Sequence, residues 1–275
     1  MLASRFGSNA RSIQAAEPLT DDAIRRVAPS IFAEDAHHTR SERYAYIPTS
    51  NVLSRLRAEG FEPFFACQTK VRKEDKIEHT KHMLRLRHRG DIGSREAANE
   101  IILLNSHDGT SSYQMLGGMF RFVCQNGLVR GDTTGDVRVP HKGDVVDHVI
   151  EGAYTVLDSF TRAQEDRENM QVVTLAKLEQ EAFAHAALTL RYDEDKAPAP
   201  ITASQILVPR RREDNKADLW TTFNRVQENL MKGRLQGRNA SGRPTRTREV
   251  NGIDQGVKLN RALWVLADAM AKLKS

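Results

Sequence analysis

Two runs of the chain concentrate positive charge without an intervening acid, and both have the chemistry to grip phosphate. The first is KHMLRLRHR, residues 81–89, with Lys81, Arg85, Arg87 and Arg89 spaced at nearly every second position. In an extended strand side chains alternate between faces. Those four, with Met83, then share one side, and His82, Leu84, Leu86 and His88 share the other. The pattern predicts a packed face backed by a solvent-facing cationic row. The second run is KGRLQGRNASGRPTRTR, residues 232–248, carrying Lys232, Arg234, Arg238, Arg243, Arg246 and Arg248 among glycines and small polar residues. Arginine suits a phosphate backbone because its planar fork makes bidentate, charge-assisted hydrogen bonds. These ten residues are the nucleic-acid-binding candidates.

Hydrolytic chemistry has thinner support. His107, Asp108, His141 and Asp144 could together hold a divalent ion in a metal-dependent nuclease, which is the alternative reading. Asp144 is more simply explained as a helix N-cap. The histidines occur as His37-His38, His79 with His82, and His141 with His148, and none reproduces HExxH or a cysteine-based zinc spacing. LLNSHDGTSSYQ holds serines, a histidine and an aspartate, but a triad is a matter of geometry and HDG is ordinary turn chemistry. No phosphate-binding GxxxxGK[ST] loop occurs. Cys67 and Cys124 lie in apolar stretches and read as buried, reduced thiols. The expectation is therefore no catalytic residue, no metal and no cofactor.

The elements that must position the basic runs follow from periodicity. The 275 residues suffice for one large domain or two smaller ones, and 39% hydrophobic with 28% charged residues is a globular composition. A net charge of +5 is mild, so the placement of charge matters more than its sum. No apolar run could span a bilayer, and MLASRFGSNARSIQ lacks a signal-type apolar segment. A cytoplasmic protein with no membrane partner is expected.

Residues 1–40 read as an arm with one short helix, capped by Thr20 ahead of Asp21 and Asp22. Thr49 or Ser50 caps a second helix that Gly60 stops, with Val52, Leu53 and Leu56 on its buried side. FEPFFACQTKV, EHTKHMLRLRH and EIILLNS read as strands, the first two joined by the polar turn RKEDK. SSYQMLGGMFRFVCQ continues as strand with a break at Gly117-Gly118, and Val137–Val139 as a short edge strand. From Asp144 the period is helical, with Val146, Val149, Ile150, Ala153, Leu157 and Phe160 on one stripe. Three further helices follow, interrupted by the linker DEDKAPAP and by an aperiodic basic loop over 233–257. The fold class is α+β: an antiparallel sheet with a strand-strand-strand-helix core in residues 41–192, then a mainly helical region over 201–275.

The blocks PLTDD, SERYAYIP, EGFEPFFACQ, KHMLRLR, EIILLNSHDGTSSYQM, FRFVCQNGLV, RVPHKGD, VIEGAY, LWTTFNRVQEN, TRTREVNGID and ALWVLA run nearly end to end. In that order they closely resemble a family of uncharacterised plasmid and prophage proteins, domain of unknown function 932. The resemblance implies a mobile-element context, where transfer and replication pass through single-stranded DNA. The order of elements also looks like the core of ring-forming single-strand annealing proteins, a likeness at the level of fold alone. Together these give the functional expectation: a homo-oligomer, in ring form if the analogy holds, that binds single-stranded DNA, with duplex DNA as a second partner, and anneals strands in recombination. Few aromatics (6%) suit a backbone rail better than a base-stacking platform. An anti-restriction protein that contacts a host defence factor is the remaining class, and no residue identifies its target.

Overall fold

The computed structural model describes residues 10–39, 46, 48–91, 97–121, 126–129, 136–139, 145–193, 195, 197–250 and 252–274. It divides into two compact units. Unit 1 comprises residues 1–128 and 133–160, and unit 2 comprises residues 129–132 and 161–275. The division falls inside a long helix, and the linker at 193–200 lies within unit 2. The architecture is α+β, an antiparallel sheet with helices followed by a helical C-terminal region.

Unit 1 opens with β1 (Ala10–Gln14) and α1 (Asp21–Val27). The Thr20 hydroxyl accepts from Ala23 N at 3.3 Å, as the sequence predicts. The arm is more than a helix, because β1 pairs antiparallel with β2 (Phe61–Thr69) and extends the sheet. Helix α2 (Thr49–Ala58) begins with Pro48 at its N-cap and no side-chain cap. Thr49 is instead buried in a hydrogen-bond network described below. Val52, Leu53 and Leu56 are buried as expected, and Gly60 follows at φ +90°.

The sheet continues through β3 (His82–His88), β4 (Ala97–Asn105), β5 (Tyr113–Arg121) and β6 (Asn126–Val129), each beside the last. A short β7 (Val137–Val139) also pairs with β5. Strand β5 passes unbroken through Gly117 and Gly118, against the sequence expectation. The reason is packing: a Cβ at 118 would meet Ile102 Cδ1 at 2.6 Å and the Leu128 carbonyl oxygen at 2.9 Å. The glycine marks close approach rather than a turn.

Rows of residues paired across the strands define two faces. Ala66, Leu84, Leu103 and Met115 stand opposite one another and join the main hydrophobic cluster. Helix α3 (Val145–Val172) contributes Val149, Ala153, Val156 and Phe160 to that cluster, so the predicted stripe is the packing stripe. The other face carries the row Phe65, Arg85, Ile102, Leu116, and all four are buried too. A sheet buried on both faces has no cationic solvent row.

In unit 2, α4 (Lys177–Arg191), the single turn α5 (Ala203–Ile206), α6 (Leu219–Lys232) and α7 (Ile253–Lys274) pack as a bundle. Helix α6 is its centre, buried from Leu219 to Met231 and ended by Gly233 at φ +57°. Trp220, Phe223 and Trp264 form an aromatic knot, with ring centroids 5.7–6.3 Å apart. The stretch between α6 and α7, expected as an aperiodic loop, contains β8 (Gln236–Arg238) and β9 (Pro244–Arg246) paired as a hairpin.

Candidate nucleic-acid interface

The basic run forms a strand over His82–His88, but Arg85 and Arg87 within it point inward. Arg85 and Arg87 are 3% and 2% exposed, and both close on Glu100 of β4, which is wholly buried. Arg85 Nε donates to Glu100 Oε2 at 2.5 Å, and its NH2 donates to the Leu128 carbonyl at 2.9 Å. Arg87 Nε donates to Glu100 Oε1 at 2.9 Å, and its guanidinium lies between the rings of Phe64 and Phe120, 4.3 Å from each centroid. Burial pulls the Arg87 pKa down from its usual value while the Glu100 charge opposes that shift.

A charge triad inside a sheet is held by pairing and by cation–π contact, not by water. The expectation that Arg85 and Arg87 face solvent is corrected accordingly. The signal that could have exposed it is Glu100 itself, a lone acid within the apolar run of β4 and across the sheet from two arginines. Of the remaining members of the row, Arg89 is exposed but donates to Glu62 at 2.7 Å, and Lys81 is half-buried.

The second basic run is arranged differently. Lys232 is bound to the buried Glu228 carboxylate at 2.7 Å, which also takes Arg211 at 2.6 Å. Arg234, Arg238, Arg243, Arg246 and Arg248 are all exposed, and none is paired with a carboxylate among the described residues. Their backbone is well fixed. Ladder pairs are Gln236 with Arg246, Gly237 with Thr245, and Arg238 with Pro244. Beyond the ladder, Arg234 N donates to Thr247 O at 2.8 Å and Thr247 N to Leu235 O at 2.9 Å. At the tip, Asn239 N donates to Arg243 O at 2.9 Å, and Asn239 Oδ1 accepts from the Ser241 and Arg243 amides at 3.0 and 2.9 Å. NASG is thus an Asx-stabilised turn, a signal the sequence carried and the loop reading missed.

One side of this ribbon is anchored. Arg238 N donates to the Pro200 carbonyl at 2.9 Å, and a Cβ on Gly237 would come within 1.9 Å of that same oxygen. Side-chain alternation then puts Arg238 and Arg246 together on the outward side. Beside the hairpin lies a groove of about 490 Å³, lined by Arg191, Tyr192, Pro200, Thr245, Arg246 and Arg248 among others. Within unit 2, Arg191 NH2 donates to the Arg248 carbonyl, while its NH1 is buried without a hydrogen-bond partner.

A third assembly, in unit 1, gathers histidines from distant positions. The His82 ring is wholly buried; Nδ1 contacts Ser30 Oγ and Nε2 contacts Thr49 Oγ1, both at 2.9 Å. Thr49 Oγ1 also meets Tyr113 OH at 3.0 Å and His107 Nε2 at 3.4 Å, and accepts from Asn105 Nδ2 at 3.0 Å. Burial pushes the His82 pKa down to about 3, so the ring is neutral. Asp108 serves the turn: Thr110 N and Oγ1 donate to its Oδ1 at 3.0 and 2.6 Å. Burial works to raise its pKa, but those hydrogen bonds and Ser106 outweigh it and hold the carboxyl below the usual range. Of the nuclease candidates, His107 and Asp108 are thus absorbed in structure, and His141 and Asp144 lie outside the described residues. Cys124 does too, while Cys67 is buried and free as expected. Among the described residues no helix is long and apolar enough to cross a membrane.

Comparison with known proteins adds kinship. The family model described as "Domain of unknown function (DUF932)" matches residues 36–264. Two Escherichia coli (strain K12) proteins, UPF0380 protein YfjQ and UPF0380 protein YafZ, are each 61% identical over 269 residues, covering 98% of this chain and 97% of their own. No solved structure matches the chain.

Proposed function

The chain belongs to the DUF932 family, whose description assigns no activity, and we propose that it binds nucleic acid through the arginine hairpin of β8 and β9. One observation carries this reading: five exposed arginines, free of carboxylate partners among the described residues, ride on a ribbon fixed by its own ladder and by Pro200. A surface built only for solubility does not require a rigid frame beneath it. The ribbon fixes the backbone from which these arginines project, which lowers the ordering cost of each phosphate contact. The adjoining groove offers the Tyr192 ring to a nucleotide next to the gripped phosphates.

Single-stranded DNA is the proposed partner, with annealing as its extension, since backbone gripping leaves base edges open for pairing. A single hairpin is a small contact, so repetition in a homo-oligomer would supply avidity. Duplex DNA is the competing ligand, because a two-stranded ribbon also fits a major groove.

The test is binding of labelled single- and double-stranded DNA across a salt series, with magnesium present and absent. For single strands log K falls with log salt at about −0.7 per phosphate contacted. Changing Arg238, Arg243 and Arg246 to Ala should weaken binding and flatten the slope by roughly 2. Wild-type affinity and slope in that variant, with the fold intact by circular dichroism, would remove the hairpin from any DNA role. Magnesium-dependent cleavage would move the reading to the nuclease.

A further inference from the structure

We propose that His37, His38 and Asp75 form a binding site for a divalent transition-metal ion, Zn2+ in the first instance, open to solvent at its remaining position. The site lies in unit 1 and does not depend on the hairpin reading.

Its ligand atoms, one from each residue, lie within 4.8 Å of one another, with His37 buried and His38 and Asp75 exposed. His37 is only 2% exposed, yet its Nε2 makes no hydrogen bond; the nearest charged oxygen, Asp75 Oδ2, stands 3.6 Å away. A buried imidazole nitrogen aimed past hydrogen-bonding range at a carboxylate leaves room for an ion between them. The opposite nitrogen, Nδ1, is 2.9 Å from Thr39 Oγ1 and accepts from the Thr39 amide at 3.4 Å. An ion on Nε2 would place the ring proton on Nδ1, where Thr39 Oγ1 could accept it, the outer hydrogen bond that metal-ligating histidines make. Burial, with His38 and His79 nearby, holds the His37 pKa below its ordinary value, against the opposing pull of Asp75.

The backbone beneath is braced. His37 N donates to His107 O at 3.1 Å, and His107 N donates to His79 O at 2.9 Å. His79 N in turn donates to Lys76 O at 3.1 Å, one residue beyond Asp75. Three segments far apart in sequence are thus laced where the candidate ligands meet. His79 flanks the group, its ring 5.3 Å from that of His37 and its Nδ1 buried without a hydrogen-bond partner.

Donor chemistry selects the ion. Two imidazoles with one carboxylate suit zinc and its neighbours, whereas calcium and magnesium prefer all-oxygen shells. Three protein ligands leave a fourth position, and the exposure of His38 and Asp75 gives water access to it. No sequence motif could reveal the site, because Asp75 is brought to the histidines by folding.

The test uses the full chain, stripped with a chelator and titrated with Zn2+ by calorimetry and with Co2+ by visible absorption. One ion per chain and a low-symmetry Co2+ spectrum with histidine ligation are expected. His38→Gln combined with Asp75→Asn changes exposed side chains, so folding should persist while affinity falls at least tenfold. Thr39→Val should also weaken binding by about tenfold through the His37 tautomer. Zn2+ should raise the thermal midpoint of the native chain and not of the double variant. No saturable binding, or equal binding by the double variant, overturns the proposal.

Discussion

Glu100 accepts a hydrogen bond from Arg87 at 2.9 Å inside the sheet, with both side chains at 2% exposure or less. The relationship turns a run that looks like a surface charge row into part of the interior. Removing the carboxylate would leave two buried guanidinium groups, Arg85 and Arg87, without their counter-ion. Glu100→Gln is therefore expected to cost about 3–5 kcal/mol in urea unfolding. Arg246→Ala, on the exposed hairpin, should stay within about 0.5 kcal/mol. A Glu100→Gln protein as stable as the parent would show that the triad is not held by charge pairing.

Gly237→Ala tests whether the hairpin is anchored. The added methyl would sit 1.9 Å from the Pro200 carbonyl oxygen, and neither backbone can yield without breaking the Arg238–Pro200 hydrogen bond. The expected result is a stability loss of about 1–3 kcal/mol, with faster amide exchange over residues 234–247. Exchange unchanged across the hairpin would mean that the ribbon is not seated on Pro200.

His82 gives stability a pH dependence with a definite sign. Its folded pKa is about 3, against 6.5 for the unbound ring. Between those values the unfolded chain binds the proton and the folded chain does not. The contribution is complete above pH 6.5 and is lost as pH falls towards 3. Thermal midpoints should decline over that window, and His82→Gln should flatten this part of the decline. A parallel curve for the variant would assign the acid sensitivity to other groups.

Cys67 should be inert in the native protein. Burial pushes its thiol up to about 12, with only partial opposition from Arg85, so the thiolate is scarce at neutral pH. In a Cys124→Ser background, a thiol-reactive dye should label the chain only in denaturant. Labelling of the folded protein at the rate of a free thiol would place Cys67 outside the core.

Period and turn chemistry determined much of unit 1 before any tertiary information. The alternation in β3, the Val149–Ala153–Phe160 stripe of α3 and the Thr20 cap are local patterns, and local patterns survive folding unchanged. Gly233 stopped α6 for the same reason, since the chain needs a positive φ there. What the alternation could not decide was which medium each face meets. Arg85 and Arg87 share a side in either case, but only the tertiary structure placed Glu100, Phe64 and Phe120 over them. The hairpin shows the converse. NASG was visible as turn-forming residues, but its flanks lack hydrophobic alternation, because the ladder is held by backbone bonds and by Pro200 rather than by a buried face. The histidines stand furthest from legibility. His37, His79 and His107 are joined by backbone hydrogen bonds between segments separated by dozens of residues, which bring Asp75 beside His37, and a sequence carries no local record of a partner that arrives by long-range folding.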